Sequence, residues 1–303
     1  MKKKIRETNI TTVRYFKIMA LLSLLYLFFV CVFVVSHQLF FSHGQLVIFA
    51  IFGLLLLGRS LFVLELGPFI LFFLGYELLR GLIPYVVQNV HIFPMIRIDQ
   101  FIFGTLPNIK LQALLYHPPN FAWYDYLATL LYIFHAFVPI VAGYFFWLKN
   151  KEFFKEYALG FLILCYSTFM TYVLFPAMPP WLASIKGYVP PIHQITTLVE
   201  ARFLPTNLPL SAIYTTVGAN PVAAIPSLHA AFPFLIFLFV WKKYPKASLL
   251  VTPYVVAVWL SVMYLGEHYF TDVILGALYA LFAFIIVQKK DLLLSKLNFR
   301  KIP

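Results

Sequence analysis

Two short stretches concentrate the side chains that could do chemistry: Pro226-Ser227-Leu228-His229 and Tyr264-Leu265-Gly266-Glu267-His268-Tyr269-Phe270-Thr271-Asp272. His268 and Asp272 stand four residues apart at the mouth of an apolar run. On a helix that spacing puts both side chains on one face, one turn apart. A carboxylate so placed accepts the Nδ1 proton of the imidazole and leaves Nε2 as a nucleophile or base. His229 opens a second apolar run in the same way. Ionisable groups at such positions point to function rather than to lipid contact. Two alternatives stand beside this reading. His268 and Asp272 could form a satisfied buried pair, and two histidines with one aspartate also describe a facial triad around a metal. No further histidine stands beside them at ligand spacing, so no metal or cofactor is expected.

These residues need elements to hold them, and the composition says which kind. The chain has 303 residues, 62% hydrophobic and 11% charged, with a mean hydropathy of +0.87. That is the composition of a membrane protein and not of a soluble core. Apolar spans fall at roughly 17–41, 46–64, 66–88, 123–148, 155–175, 227–241, 247–265 and 269–288, each near the length that crosses a bilayer. The expected fold is all-α: a polytopic membrane bundle of about eight transmembrane helices around a six-helix core. It is a single membrane domain over 1–303, with a catalytic core at about 66–288 and extra N-terminal helices over about 1–65. A tight turn at Gly67-Pro68 separates the second span from the third. The basic run Lys2, Lys3, Lys4, Arg6, Arg14 and Lys17 precedes the first span, read as an uncleaved transmembrane helix.

The net charge of +12 is read as an orienting charge rather than a nucleic-acid footprint. The N-terminal run, Lys149/Lys151/Lys155, Lys242/Lys243/Lys246 and Lys289/Lys290 fall on one side of the bundle, and two long, weakly basic loops at about 89–122 and 176–226 fall on the other. The positive-inside rule makes the basic side cytoplasmic, with both termini there. Arg80, His229, His268 and Asp272 then converge at the extracytoplasmic end. Cys31 and Cys165 both lie in apolar segments and build neither a disulfide framework nor a metal knuckle.

The two histidine stretches resemble the second and third signatures of the type 2 phosphatidic acid phosphatase superfamily. Leu228 before the histidine, Pro179-Pro180-Trp181, Tyr76-Glu77-Leu78-Leu79-Arg80-Gly81, Asp99-Gln100-Phe101-Ile102-Phe103-Gly104 and Leu111-Gln112 resemble its inositol-phosphorylceramide synthase branch. The resemblance implies metal-independent phosphotransfer at a six-helix core. His268 would attack phosphorus and become phosphohistidine, Asp272 would orient it, and His229 would protonate the leaving oxygen and then deprotonate the acceptor. Backbone amides near Ser227, at the start of the helix that Pro226 opens, suit an anion.

The chain departs from the phosphatase pattern at Val262, where the family commonly has an arginine six residues before the nucleophilic histidine. The family's lysine-rich first signature is also absent. Phosphate charge must then meet other cations: Arg80 first, then Arg97, Lys186 and Arg202 in the loops. Arg80 and Glu77 could instead be a plain ion pair, and His135, in the middle of a span, reads as a hydrogen-bonded packing residue. The expected activity is transfer of a phospho-headgroup such as phosphoinositol from a phospholipid donor to a lipid alcohol. Hydrolysis of a lipid phosphate, with water as acceptor, is the alternative within the enzymes. A membrane transporter is the alternative outside them, although no repeat relates the two halves.

Overall fold

The computed structural model describes residues 61–87, 89–203 and 222–289, and their regular structure is helical apart from isolated bridges. The chain divides into two compact units, Met1–Leu82 with Leu210–Ala219, and Ile83–Pro209 with Asn220–Pro303. The described part of the first unit lies on helix α1 (Leu61–Val86). This helix runs without interruption through Gly67 and Pro68, so the expected turn there is absent. In an apolar setting a backbone that leaves the helix loses hydrogen bonds nothing else can replace, and one missing N–H is the smaller loss.

The second unit holds ten described helices: α2 (Phe93–Phe103), α3 (Pro107–Leu115), α4 (Trp123–Ile133), α5 (Phe137–Lys149), α6 (Lys151–Leu174), α7 (Pro180–Ile185), α8 (Ile195–Phe203), α9 (Leu228–Lys243), α10 (Pro245–Tyr264) and α11 (Phe270–Gln288). Four stretches among the described residues are long and apolar enough to cross a membrane: Trp123–Lys149, Lys151–Leu174, Pro245–Tyr264 and Phe270–Gln288. They mark an integral membrane protein. Leu249, Leu250, Leu278 and Phe282 on the last two are exposed, as lipid-facing residues are. The count of eight is not reached among the described residues. The first expected span and nearly all of the second lie outside them, and α9 has only 16 residues, about 24 Å of helix at 1.5 Å per residue.

The span at Trp123–Lys149 is broken at its middle by a 3-10 turn, Phe134–Ala136. Pro139 accounts for it. Its ring displaces the carbonyl four residues back, at His135, and its nitrogen offers no proton to that carbonyl. α9 packs between α10, α11 and α6. The two long loops at about 89–122 and 176–226 hold short helices and packed residues. They carry α2, α3, α7 and α8, and their apolar residues Met95, Ile96, Leu106, Ala177, Ala183 and Ile192 form a small core with Tyr269. Backbone bridges His91–Ala177 and Ala177–Ala223 tie three loop segments side by side.

Candidate active site

His229 lies in the first turn of α9. Ser227 caps that helix, its hydroxyl accepting from the Ala230 N–H at 3.3 Å, as serine does at an N-cap. The Ser227 N–H donates to the Asp272 carbonyl at 3.0 Å, so the starts of α9 and α11 are joined through backbone. Gly276 permits this approach: a Cβ there would lie 2.2 Å from the Ser227 carbonyl oxygen. The Tyr172 hydroxyl of α6 donates to the Pro226 carbonyl at 2.8 Å.

His268 stands two residues before α11, in the turn that leaves α10. Three buried polar side chains from the first long loop hold that turn. The Asn108 Nδ2 donates to the carbonyls of Met263, 2.7 Å, and His268, 2.9 Å. The Gln112 Nε2 donates to the Tyr264 and His193 carbonyls, both at 2.8 Å, while its Oε1 accepts from the His193 N–H at 2.9 Å. Asp99 accepts from the N–H groups of Phe270, 2.8 Å, and Thr271, 3.0 Å, and from the Thr271 hydroxyl. It therefore satisfies the open donors at the start of α11 from outside the helix. Burial raises the Asp99 pKa above the ordinary carboxylate value, against the Thr271 and Phe270 hydrogen bonds, which lower it. Tyr264 donates its hydroxyl proton to Asp125, the N3 residue of α4. Gly266, at φ +80°, closes the turn, and a Cβ there would lie 2.6 Å from the His193 carbonyl oxygen.

The two imidazoles meet. His229 Nδ1 lies 3.1 Å from His268 Nε2. His268 Nδ1 lies 2.9 Å from the Ala224 carbonyl oxygen and 3.5 Å from Asp272 Oδ2. A carbonyl only accepts, so His268 Nδ1 carries the proton and Nε2 is the acceptor for the His229 Nδ1–H. This refines the expected arrangement. Asp272 stands beside the ring and gives its Oδ2 to the Tyr269 N–H at 2.8 Å, while a loop carbonyl takes the His268 proton. Ala224 is itself held, its N–H donating to the Ala177 carbonyl at 3.2 Å. Both histidines and Asp272 are buried. Such an arrangement presents one nitrogen lone pair and, next to it, one transferable proton.

The expected phosphate ligands sit on different elements. Ser227 is fully buried at the helix start beside His229. Arg97 is exposed on α2, its guanidinium 5.7 Å from the centre of the Phe93 ring. Lys186 is exposed at the end of α7, and Arg202 lies 5.6 Å over the Phe121 ring. Arg80, on α1 in the first unit, pairs with Glu77 at 2.7 Å. Val262 is buried, and its carbonyl accepts from the N–H groups of Glu267 and His268, both at 3.1 Å. Among the described residues no three His, Cys, Asp or Glu side chains gather as ligands for a metal ion. Asn108, Asp125 and the Ala224 carbonyl were not singled out from sequence. The i, i+4 pair Asn108 and Gln112 on one short helix was the available signal.

The chain is 27% identical over 228 residues to the phosphoinositol dihydroceramide synthase of Bacteroides thetaiotaomicron, covering 73% of this chain and 75% of that protein. It is 29% identical over 173 residues to the inositol phosphorylceramide synthase of Candida albicans, covering 55% of this chain and 37% of that protein. With the catalytic subunit of the Saccharomyces cerevisiae inositol phosphorylceramide synthase it shares 32% over 107 residues, 34% of this chain and 27% of that one. No solved structure matches the chain. The PAP2 superfamily profile matches residues 95–286, a stretch that takes in Asp99, both histidines and Asp272, and the chain belongs to that superfamily as an enzyme of the phosphatase and phosphotransferase type.

Proposed function

We propose that this protein moves a phosphoinositol-like headgroup from a phospholipid to the hydroxyl of a ceramide-like lipid alcohol, through a phosphohistidine on His268. The observation that carries the mechanism is the bonded histidine pair with its outer nitrogen locked by Ala224. The donor phosphoryl group takes the place of the His229–His268 contact. His268 Nε2 attacks phosphorus, the bond from phosphorus to the glycerolipid oxygen breaks, and that oxygen takes the Nδ1 proton of a His229 that enters the step as imidazolium and leaves it neutral, its remaining proton on Nε2. In the second half the acceptor hydroxyl gives its proton to His229 Nδ1. Its oxygen attacks phosphorus, and the P–N electron pair returns to His268 Nε2. His268 keeps its Nδ1 proton on Ala224 throughout, and Asp272, 3.5 Å away, stabilises the phosphorylated, positively charged ring.

The phosphate oxygens are assigned to the first N–H groups of α9 behind Ser227, where the helix dipole favours an anion, with Arg97 and Lys186 as the proposed cations. Buried Val262, where phosphatases carry arginine, leaves fewer fixed charges. That suits a singly charged phosphodiester better than a dianionic monoester. The similarity to the phosphoinositol dihydroceramide synthase supports a lipid alcohol over water as the acceptor. The site is assigned to the extracytoplasmic face, with the catalytic machinery in about 66–288 and both termini cytoplasmic.

The test is purified protein in mixed lipids with phosphatidylinositol and ceramide, products resolved by mass spectrometry. A phosphoinositol-bearing sphingolipid should form, with an acid-labile phosphorus adduct on His268. His268→Ala should abolish both, a fall of at least about 10⁴-fold. Rapid hydrolysis of phosphate monoesters, with diesters untouched whatever the acceptor, would make the protein a phosphatase.

A further inference from the structure

His135 is the third histidine of the site. It sits in the 3-10 turn that breaks the Trp123–Lys149 span, and it is buried. Its ring centre lies 3.8 Å from that of His229. Tyr132, one turn earlier, stacks on the same His229 ring at 4.3 Å with the planes 8° apart. His135 is itself fixed from two directions. Its Nδ1 donates to the Tyr132 carbonyl at 2.7 Å, which sets the tautomer because a carbonyl cannot donate. Its other neighbour is Phe232, parallel within 11° at 6.3 Å and one turn beyond His229 on α9. Phe232 in turn stacks on Phe161 of α6 at 4.9 Å. The imidazole at position 229 is thus packed by rings from one broken helix, and the break exists because Pro139 stands four residues after His135.

We propose that His135 is a positioning residue for His229, holding the imidazole so that its Nδ1 proton is aimed at the reacting oxygen. This rests on the assignment of His229 as the acid and base. Packing alone would be served by phenylalanine or leucine in an apolar span. An imidazole tethered to the backbone and laid against the acid–base ring instead fixes where that ring can turn. The arrangement matters most for a transferase. Between the two half-reactions one lipid leaves and another enters, and His229 must meet the second oxygen in the same geometry as the first. A displacement of about an ångström at a reacting group is enough to lower a rate a hundredfold.

A leaving-group series separates positioning from structure. Phosphoenzyme formation is followed with phosphatidylinositol and with a p-nitrophenyl phosphodiester, whose phenolate leaves without a proton. His229→Ala should fail with the lipid and keep most of its rate with the nitrophenyl donor. His135→Ala should show the same asymmetry in a milder form: about 10–100-fold lower kcat with the lipid, and less than about threefold with the nitrophenyl donor, since only the acid-dependent step is affected. KM for both lipids should stay within about twofold, as expected when transition-state interactions alone are lost. His135→Phe keeps the ring without the tether and should recover part of the loss. Equal losses with the two donors, or unchanged lipid turnover in His135→Ala, would assign His135 to packing alone. Absence of the asymmetry in His229→Ala would remove the acid–base assignment and this proposal with it.

Discussion

The two histidines are held in different ways. His268 sits in a turn whose backbone is bound by Asp99, Asn108 and Gln112 from the first long loop, and its Nδ1 proton goes to the Ala224 carbonyl. His229 sits on a helix, and its ring is packed by Tyr132 and His135. The difference follows from what each place in the chain can offer. A turn between two helices has unpaired N–H and C=O groups that must be met, and buried amides and carboxylates meet them. In the first turn of a helix the carbonyls are met within the helix and the N–H groups stay open, so the His229 ring can be fixed by packing. It also suits the proposed roles. A nucleophile that becomes covalently loaded must not move, whereas an acid–base group must serve two different oxygens. Hydrogen bonds fix a backbone position closely, and ring contacts fix an orientation while tolerating small shifts.

Among the residues that hold the two histidines in place, the largest effect should come from the hydrogen-bonded side. Asp99→Ala leaves the Thr271 N–H buried and the Phe270 N–H half-buried without their acceptor. Each unmet buried donor costs about 1–3 kcal/mol. The variant should lose about 2–4 kcal/mol of stability and, where it folds, turn over about 10²-fold more slowly because the start of α11 carries Asp272 and abuts His268. Asp99→Asn keeps one acceptor oxygen and should fall between the two. Thermal unfolding in detergent and single-turnover transfer would measure both quantities. Wild-type rates in a stable Asp99→Ala protein would mean that the turn needs no clamp, and the contrast between the two histidines would fail.

A smaller effect is expected at Asp272. In a serine protease triad, changing the aspartate to asparagine lowers kcat about 10⁴-fold because the histidine takes the wrong tautomer. Here the tautomer is set by Ala224, at 2.9 Å, with the carboxylate at 3.5 Å. Asparagine can still accept from the Tyr269 N–H. Asp272→Asn should therefore lower transfer by about 10–100-fold through loss of charge alone, well short of the triad figure. A 10⁴-fold loss in a folded protein would show that the carboxylate, and not the loop carbonyl, holds the proton.

The parts of this site legible in sequence were those with a side-chain signature. His229, His268 and Asp272 stand out as ionisable groups in apolar surroundings, and Pro226-Ser227 announces a helix start that the structure has. The helices at about 155–175, 247–265 and 269–288 follow from length and hydropathy. What escaped was carried by backbone or by distance along the chain. The Ala224 carbonyl has no side-chain signal, and Tyr264 meets Asp125 across 139 residues. Asp99 and Gln112 were noticed within a motif, but their role as clamps needs the fold of the first long loop. The break at His135 could have been anticipated from Pro139, since a proline disturbs the carbonyl four residues before it. The uninterrupted α1 through Gly67-Pro68 shows why such signals do not decide alone.

The smallest predicted effect sharpens the contrast through pH. The turn that holds His268 has a buried carboxyl at Glu267, whereas the side chains stacked on His229, Tyr132 and His135, are aromatic. Glu267, just before His268, has its pKa raised above the usual 4.5 by burial, opposed by Thr196, Gln194, His268 and Tyr132. Glu200 on α8 is raised by burial and by the charge of Glu267. A carboxyl whose folded pKa is raised contributes stability that is fully present below its unfolded value and is lost as pH rises through the folded value. These two groups should therefore make the protein less stable as pH climbs from about 4.5 toward neutrality. Glu267→Gln removes one of the two charges and the cause of part of the other's shift, while its amide oxygen can still accept from Gln194. Its unfolding midpoint should vary less with pH than that of the wild type, the two curves separating by about 2–4 °C at the upper end. Phe232→Leu, on the ring side, should lower the midpoint by the same amount at every pH, because it alters packing and no charge. Parallel curves for wild type and Glu267→Gln, or a pH-dependent offset in Phe232→Leu, would mean that the two halves of the site do not divide their electrostatics and their packing in this way.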